Sequence, residues 1–98
     1  MNVSTAEYNG NRIRFLALPD NGLLLNTKDV CEALGITSRP AGTELGEPCL
    51  DLAGAIGAAL SDDVGDVDFV EWLQETFANY RDVTLVRPRC NDEWNFEP

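Results

Sequence analysis

Six carboxylates stand in the fifteen residues SDDVGDVDFVEWLQE, from Ser61 to Glu75, and no base stands among them. They are Asp62, Asp63, Asp66, Asp68, Glu71 and Glu75. Clustered carboxylates can hold a hard cation, share a proton in acid–base catalysis, or present a negative surface to a partner. The first use fits poorly, because DDVGDVD misplaces both the glycine and the distal glutamate of a calcium-binding loop. The second lacks support elsewhere in the chain. There is no histidine to serve as a base near neutral pH, and no serine sits in a GxSxG turn. Cys31, Cys49 and Cys90 form an odd set without a CxxC pair, so disulfide scaffolds and zinc sites both fit badly. Cys31 reads as a small buried hydrophobe. The expectation is a non-enzyme with no cofactor and no metal.

The third use remains. Residues 1–40 carry four bases and four acids, whereas residues 41–98 carry three bases and thirteen acids, which is the whole net charge of −10. Duplex DNA is bound by displacing counterions with Lys and Arg, and this chain would be repelled from it at long range. A basic protein is the partner that such a surface suits. Solubility alone is the plain alternative.

The elements that position these acids follow from local pattern. RIRFLAL (Arg12 to Leu18) alternates as a strand, PDNG (19–22) is a turn, and LLLN (Leu23 to Asn26) is the second strand of a hairpin. Asn26 or Thr27 can cap the helix that follows, with Val30, Ala33 and Leu34 inward and Gly35 at its left-handed end. If Asn26 is the cap, Asp29 takes the third helical position, where its charge suits the positive helix end. The stretch 37–48 reads as a loop with a short strand around Thr43–Leu45. Asp51 caps a second helix in which Leu52, Ile56 and Leu60 recur every four residues. Gly54 and Gly57 each cost a helix about 1 kcal/mol, which predicts a close neighbour at each.

A third helix is predicted from about Asp66 to Tyr80, with Phe69, Val70, Leu73, Phe77 and Tyr80 at helical spacing. At about 100° per residue, the acids of this segment fall opposite that stripe. Ordinary surface helices show charge opposite their core, but they mix signs and gain from i,i+4 pairs; this one does not. Trp72 lies off the centre of the apolar stripe, so core packing and a place on the partner face both stay open for it. DVTLVRPR gives a last strand, Val83 to Val86, ended by Pro88. The tail 90–98, with Trp94 and Phe96, either packs back on the sheet or docks on something else.

Two segments in order resemble the BRO-N domain, the N-terminal module of baculovirus BRO proteins and many phage antirepressors. The hairpin with TKDVCEALGI is similar to the family's strand and KDV-x-x-ALG-aromatic helix. LDLAGAIGAALSDDVGDVDFVEWLQETFANYR is similar to its Gly-centred helix, polar linker and F-x-x-W-apolar helix, with Gly54, Phe69, Trp72, Leu73, Tyr80 and Arg81 in the matching places. The match runs over residues 12 to 81. The departures are a shortened loop at 36–48 and acids where family members usually carry bases.

The resemblance implies an α+β fold, a small antiparallel sheet (N-terminal hairpin plus a C-terminal strand) packed with about three helices, in one domain over residues 1–98. Its ordered core is expected over about 12–87. It implies a phage or prophage regulator that binds a repressor or a host regulatory or defence protein. Asp62, Asp63, Asp66, Asp68, Glu71, Trp72 and Glu75 form the expected partner face. The alternatives are a DNA-binding module using Arg12, Arg14, Lys28 and Arg39, or a self-associating scaffold. No membrane span and no signal peptide are read in the sequence, and a cytoplasmic location is expected.

Overall fold

Asn9 and Gly10 make the first turn, and both adopt left-handed backbone angles, with φ of 50° and 83°. That pair of angles gives a two-residue turn whose twist matches the twist of the strands it joins. The computed structural model describes residues 3–17, 22–38 and 42–78. The turn joins β1 (Val3–Tyr8) to β2 (Asn11–Ala17), with Tyr8 paired to Asn11 and Val3 to Leu16. The sheet therefore begins nine residues before Arg12, where the alternation of apolar residues first becomes visible. β2 pairs with β3 (Leu23–Asn26), and β3 pairs with β4 (Cys49–Leu50). All pairings are antiparallel and the order is β1-β2-β3-β4.

The register decides the two faces. Because side chains alternate along a strand, Ala6, Tyr8, Ile13, Phe15, Leu23, Leu25 and Leu50 share one face. Arg12, Arg14, Leu16, Leu24 and Cys49 share the other. The first face carries the core. Ile13, Leu23 and Leu25 meet Ala55 and Ala59 of α2 (Leu52–Ala59) and Phe69, Leu73 and Phe77 along α3 (Val67–Thr76). Complete burial of a Leu or Phe side chain contributes about 2–3 kcal/mol, so this face supplies most of the stability.

The helices begin where short polar side chains can take up free N–H groups. Asn26 caps α1 (Thr27–Leu34) by accepting from the Asp29 N–H at 3.0 Å. Asp51 caps α2 by accepting from Gly54 at 2.7 Å. Asp66 caps α3 by accepting from Phe69 at 3.1 Å. At the other end of α1, Gly35 has φ 77° and donates to Glu32, while Ile36 donates to Cys31 at 2.8 Å. This pair of hydrogen bonds closes the helix end in the Schellman manner.

Three expectations change. The stretch around Thr43–Leu45 is not a strand; Glu44–Gly46 forms one 3-10 turn, and the strand comes later, where Leu50 can point into the core beside Leu25. The inward face of α2 is made of Gly54, Ala55 and Ala59 rather than a full leucine stripe. Leu52 and Ile56 flank it, half-buried, and Leu60 is 52% exposed. Small residues allow α2 to approach the sheet and α3 closely, which a leucine face would prevent. Gly57 faces outward, and among the described residues an added methyl there meets nothing within 4 Å, so no described neighbour compensates it.

Cys31 is a buried thiol, as its apolar surroundings predict. Cys49 is disulfide-bonded, which the odd cysteine count argued against. Among the described residues no helix is long and apolar enough to cross a membrane. The expected C-terminal strand Val83–Val86, the end of the third helix at Tyr80, Arg39 and the tail 90–98 lie outside the described residues. The four-stranded antiparallel sheet and three helices make the α+β class that the sequence predicts.

Candidate functional site

α3 presents a divided surface because its apolar and acidic residues repeat with different phases. Phe69, Leu73 and Phe77 follow at i, i+4 and i+8, and all three are buried. Asp68, Glu71 and Glu75 follow at i, i+3 and i+7. At about 100° per residue they fall within about 60° of arc, on the side away from the core. All three are exposed, as are Asp62 and Asp63 in the connection from α2. Asp68, Glu71 and Glu75 form no ion pair among the described residues.

The connection is short and internally bonded. Val64 and Gly65 both donate to the Ser61 carbonyl, at 3.0 and 2.9 Å, and Asp66 donates to Ala59 at 2.8 Å. Gly65 takes φ 56°, which lets the chain reverse there. Asp62 and Asp63 are thus carried on a fixed bend beside the start of α3.

Asp66 has a different task from its neighbours. Its carboxylate caps α3 and also accepts from the Tyr8 hydroxyl, at 3.2 and 3.3 Å to the two oxygens. Tyr8 is held above its ordinary pKa, first by burial, then by the bond to Asp66 and the charges of Asp66 and Asp68. A bond from Asn9 opposes this. A phenol in that setting stays neutral and keeps donating.

Trp72 is half-buried in an aromatic group. It stacks on Phe69 at 5.5 Å, tilts against Tyr8 at 5.3 Å, and meets Phe77 edge-on at 5.7 Å. Tyr8 and Phe69 are also edge-to-face at 4.9 Å. Such pairs add about 0.5–1.5 kcal/mol each beyond area burial. Of the seven residues expected on the partner face, Asp66 and Trp72 therefore serve the fold, and Asp62, Asp63, Asp68, Glu71 and Glu75 are left facing solvent.

Of the basic set expected for the nucleic-acid alternative, Arg12, Arg14 and Lys28 are among the described residues. Arg12 and Lys28 are both exposed. Arg14 is engaged: its Nε lies 2.7 Å from one Asp29 oxygen and its second guanidinium nitrogen 2.9 Å from the other. The backbone N–H of Arg14 also donates to Asp29, at 3.0 Å. The reason is topological. The β2–β3 ladder reaches Phe15↔Leu25, and the next rung would pair Arg14 with Asn26. There the chain turns into α1, and Asp29 takes the N–H that a continuing strand would have taken. The bond to Asp29 raises the Arg14 pKa most, burial opposes it, and the charges of Asp29 and Glu32 add to it. Arg14 is therefore a structural cation and not an available one.

Tyr8 and Asp29 are the residues that sequence reading did not connect to their partners. The dipeptide Asn9-Gly10 after Tyr8 was the available signal for the first. The second required knowing that α1 starts beside β2. Among the described residues no three acids or cysteines gather into a metal-binding group. Against protein-family models, curated proteins and solved structures, the chain gives no match.

Proposed function

We propose that this chain is a small BRO-N-like regulatory protein of phage or prophage type. It binds a basic protein through the acidic side of α3, without catalysis. The partner is a repressor or another DNA-binding host protein, and the location is the cytoplasm, where such partners work. Asp68, Glu71 and Glu75 are its centre, with Asp62 and Asp63 extending it. The observation that carries this reading is the arc of three exposed carboxylates on one helix with no base paired to them among the described residues. Negative potential of that kind steers a basic, DNA-reading surface into place. In the sharper form, the arc competes with the phosphate backbone for that surface. Engagement of Arg14 by Asp29 weighs against the DNA-binding alternative, because it removes a central cation from the set.

The test compares the tagged wild-type chain with the Asp68→Lys/Glu71→Lys/Glu75→Lys variant in capture from a bacterial lysate. The expected result is a basic DNA-binding protein held by the wild type alone and released by added duplex DNA. Equal capture by both forms, or recovery of nucleic acid itself, would overturn the reading.

A further inference from the structure

β1 is an outer strand of the sheet, and its edge runs for six residues, VSTAEY. The opposite outer strand, β4, has two. A long edge strand presents a row of N–H and C=O groups that can pair with another chain, and proteins usually block it with Pro, Lys or a bulge. β1 has neither Pro nor Lys, and its register with β2 runs unbroken from Val3↔Leu16 to Tyr8↔Asn11. We propose that this edge pairs with β1 of a second copy of the chain, antiparallel about a twofold axis at Thr5, so that two four-stranded sheets join into one.

The turn decides which backbone groups are free. In a two-residue hairpin the residues that flank the turn exchange both hydrogen bonds, and bonded and non-bonded pairs then alternate. Here the flanking pair is Tyr8 and Asn11, so Ala6 bonds to Ile13 and Ser4 to Phe15. Glu7, Thr5 and Val3 stand in the non-bonded pairs and direct their N–H and C=O groups outward. Arg14 shows the same phase: it is the register partner of Thr5, and its N–H turns away from β1 to donate to Asp29 at 3.0 Å. Among the described residues, Val3, Thr5 and Glu7 make no backbone hydrogen bond on the outward side.

The spacing of these three residues selects a second copy as the occupant. With Thr5 on the axis, Thr5 exchanges both bonds with its twin, and Val3 of each chain meets Glu7 of the other. Every outward group on the three residues then has a partner, with no foreign sequence required. An axis at Glu7 would set two carboxylates directly opposite each other, which is unfavourable. An axis at Val3 would carry Glu7 past the end of the facing strand. On the inner face Ser4 meets Ala6, and side chains that small let the two backbones approach. Glu7 is the one charge on β1 and already stands opposite Arg12. The strand therefore carries little of the net charge of −10 that keeps copies apart. None of this rests on the acidic side of α3.

The experiment is sedimentation equilibrium of the full chain, up to about 1 mM. The mass should rise with concentration from 10.8 kDa towards twice that value. Added salt should strengthen the dimer by screening the net charge, whereas it weakens capture of a basic protein by α3. In hydrogen exchange, the Val3, Thr5 and Glu7 amides should slow as concentration rises. Thr5→Pro removes an outward donor and no bond within the hairpin, and the chain should then stay monomeric throughout. Should Thr5→Pro fail to fold, Thr5→Lys sets two cations opposite each other on the axis and leaves the backbone groups in place; it should weaken the dimer about fivefold. A mass that stays at 10.8 kDa at every concentration would overturn the proposal. Slow exchange of the three amides in the dilute monomer would also overturn it, since the edge would then be filled by the chain itself. A dimer that Thr5→Lys leaves unchanged would place the contact elsewhere and reject β1.

Discussion

Two acidic regions of this protein behave in opposite ways. At the start of α1, Asp29 is 8% exposed and accepts three hydrogen bonds from Arg14, two from the guanidinium and one from the backbone. Along α3, Asp68, Glu71 and Glu75 stand in water without a described base. The first charge serves geometry, since it closes the open rung of β2 and fixes the start of the helix. The second group makes no hydrogen bond or ion pair among the described residues, although Asp68, in the first turn of α3, suits the positive end of its helix. A carboxylate is thus not a functional residue by type; the distinction lies in what already holds it.

The sharpest way to break this contrast is Asp29→Ala. It leaves a half-buried guanidinium and a backbone N–H without their acceptor, at a cost of about 3 kcal/mol. Urea unfolding should show the midpoint falling with an unchanged slope. Next comes Asp66→Ala, which removes the α3 cap and the Tyr8 acceptor together; the expected loss is about 1–2 kcal/mol, read by thermal unfolding.

The Tyr8→Phe variant tests the same contact through pH. The Tyr8 pKa is raised above 10.0 in the folded state, so its contribution is complete below that value. It is lost as pH rises through the folded pKa. The wild type should therefore lose stability on the alkaline side more steeply than Tyr8→Phe. Parallel profiles would remove Tyr8 as the cause.

The smallest effect belongs to the other region. Replacing Glu71 and Glu75 by Lys should change stability by less than about 0.5 kcal/mol, because exposed charges contribute little, and adding Asp68→Lys should cost up to about 1 kcal/mol more, since Asp68 lies in the first turn of α3 beside its cap. If that variant unfolded like Asp29→Ala, the two regions would not differ as described.

Local rules made much of this fold legible. Asn26 and Asp51 are each followed by helical spacing, and each caps a helix as expected. Gly35 ends α1 where an α-left residue was needed. The period of Phe69, Leu73 and Phe77 located the acids of α3 on the outside. What was not legible depended on tertiary partners. β1 places Ser4, Ala6 and Tyr8 on its inner face, too weak an apolar pattern to announce a strand. β4 has two residues, which is too short for any period. In α2 the leucine spacing pointed to one face and close packing chose the alanines. Asp66 read as one acid among six because its tyrosine lies 58 residues away.

That last separation has a consequence for how the molecule opens. Tyr8 ties the first hairpin to the last described helix by its hydroxyl and by ring contacts with Phe69 and Trp72. Fraying of β1 exposes the rings beneath α3, and loosening of α3 frees the hydroxyl of β1. The outermost strand and the final described helix therefore belong to one cooperative unit, and their slow-exchanging amides should gain and lose protection together.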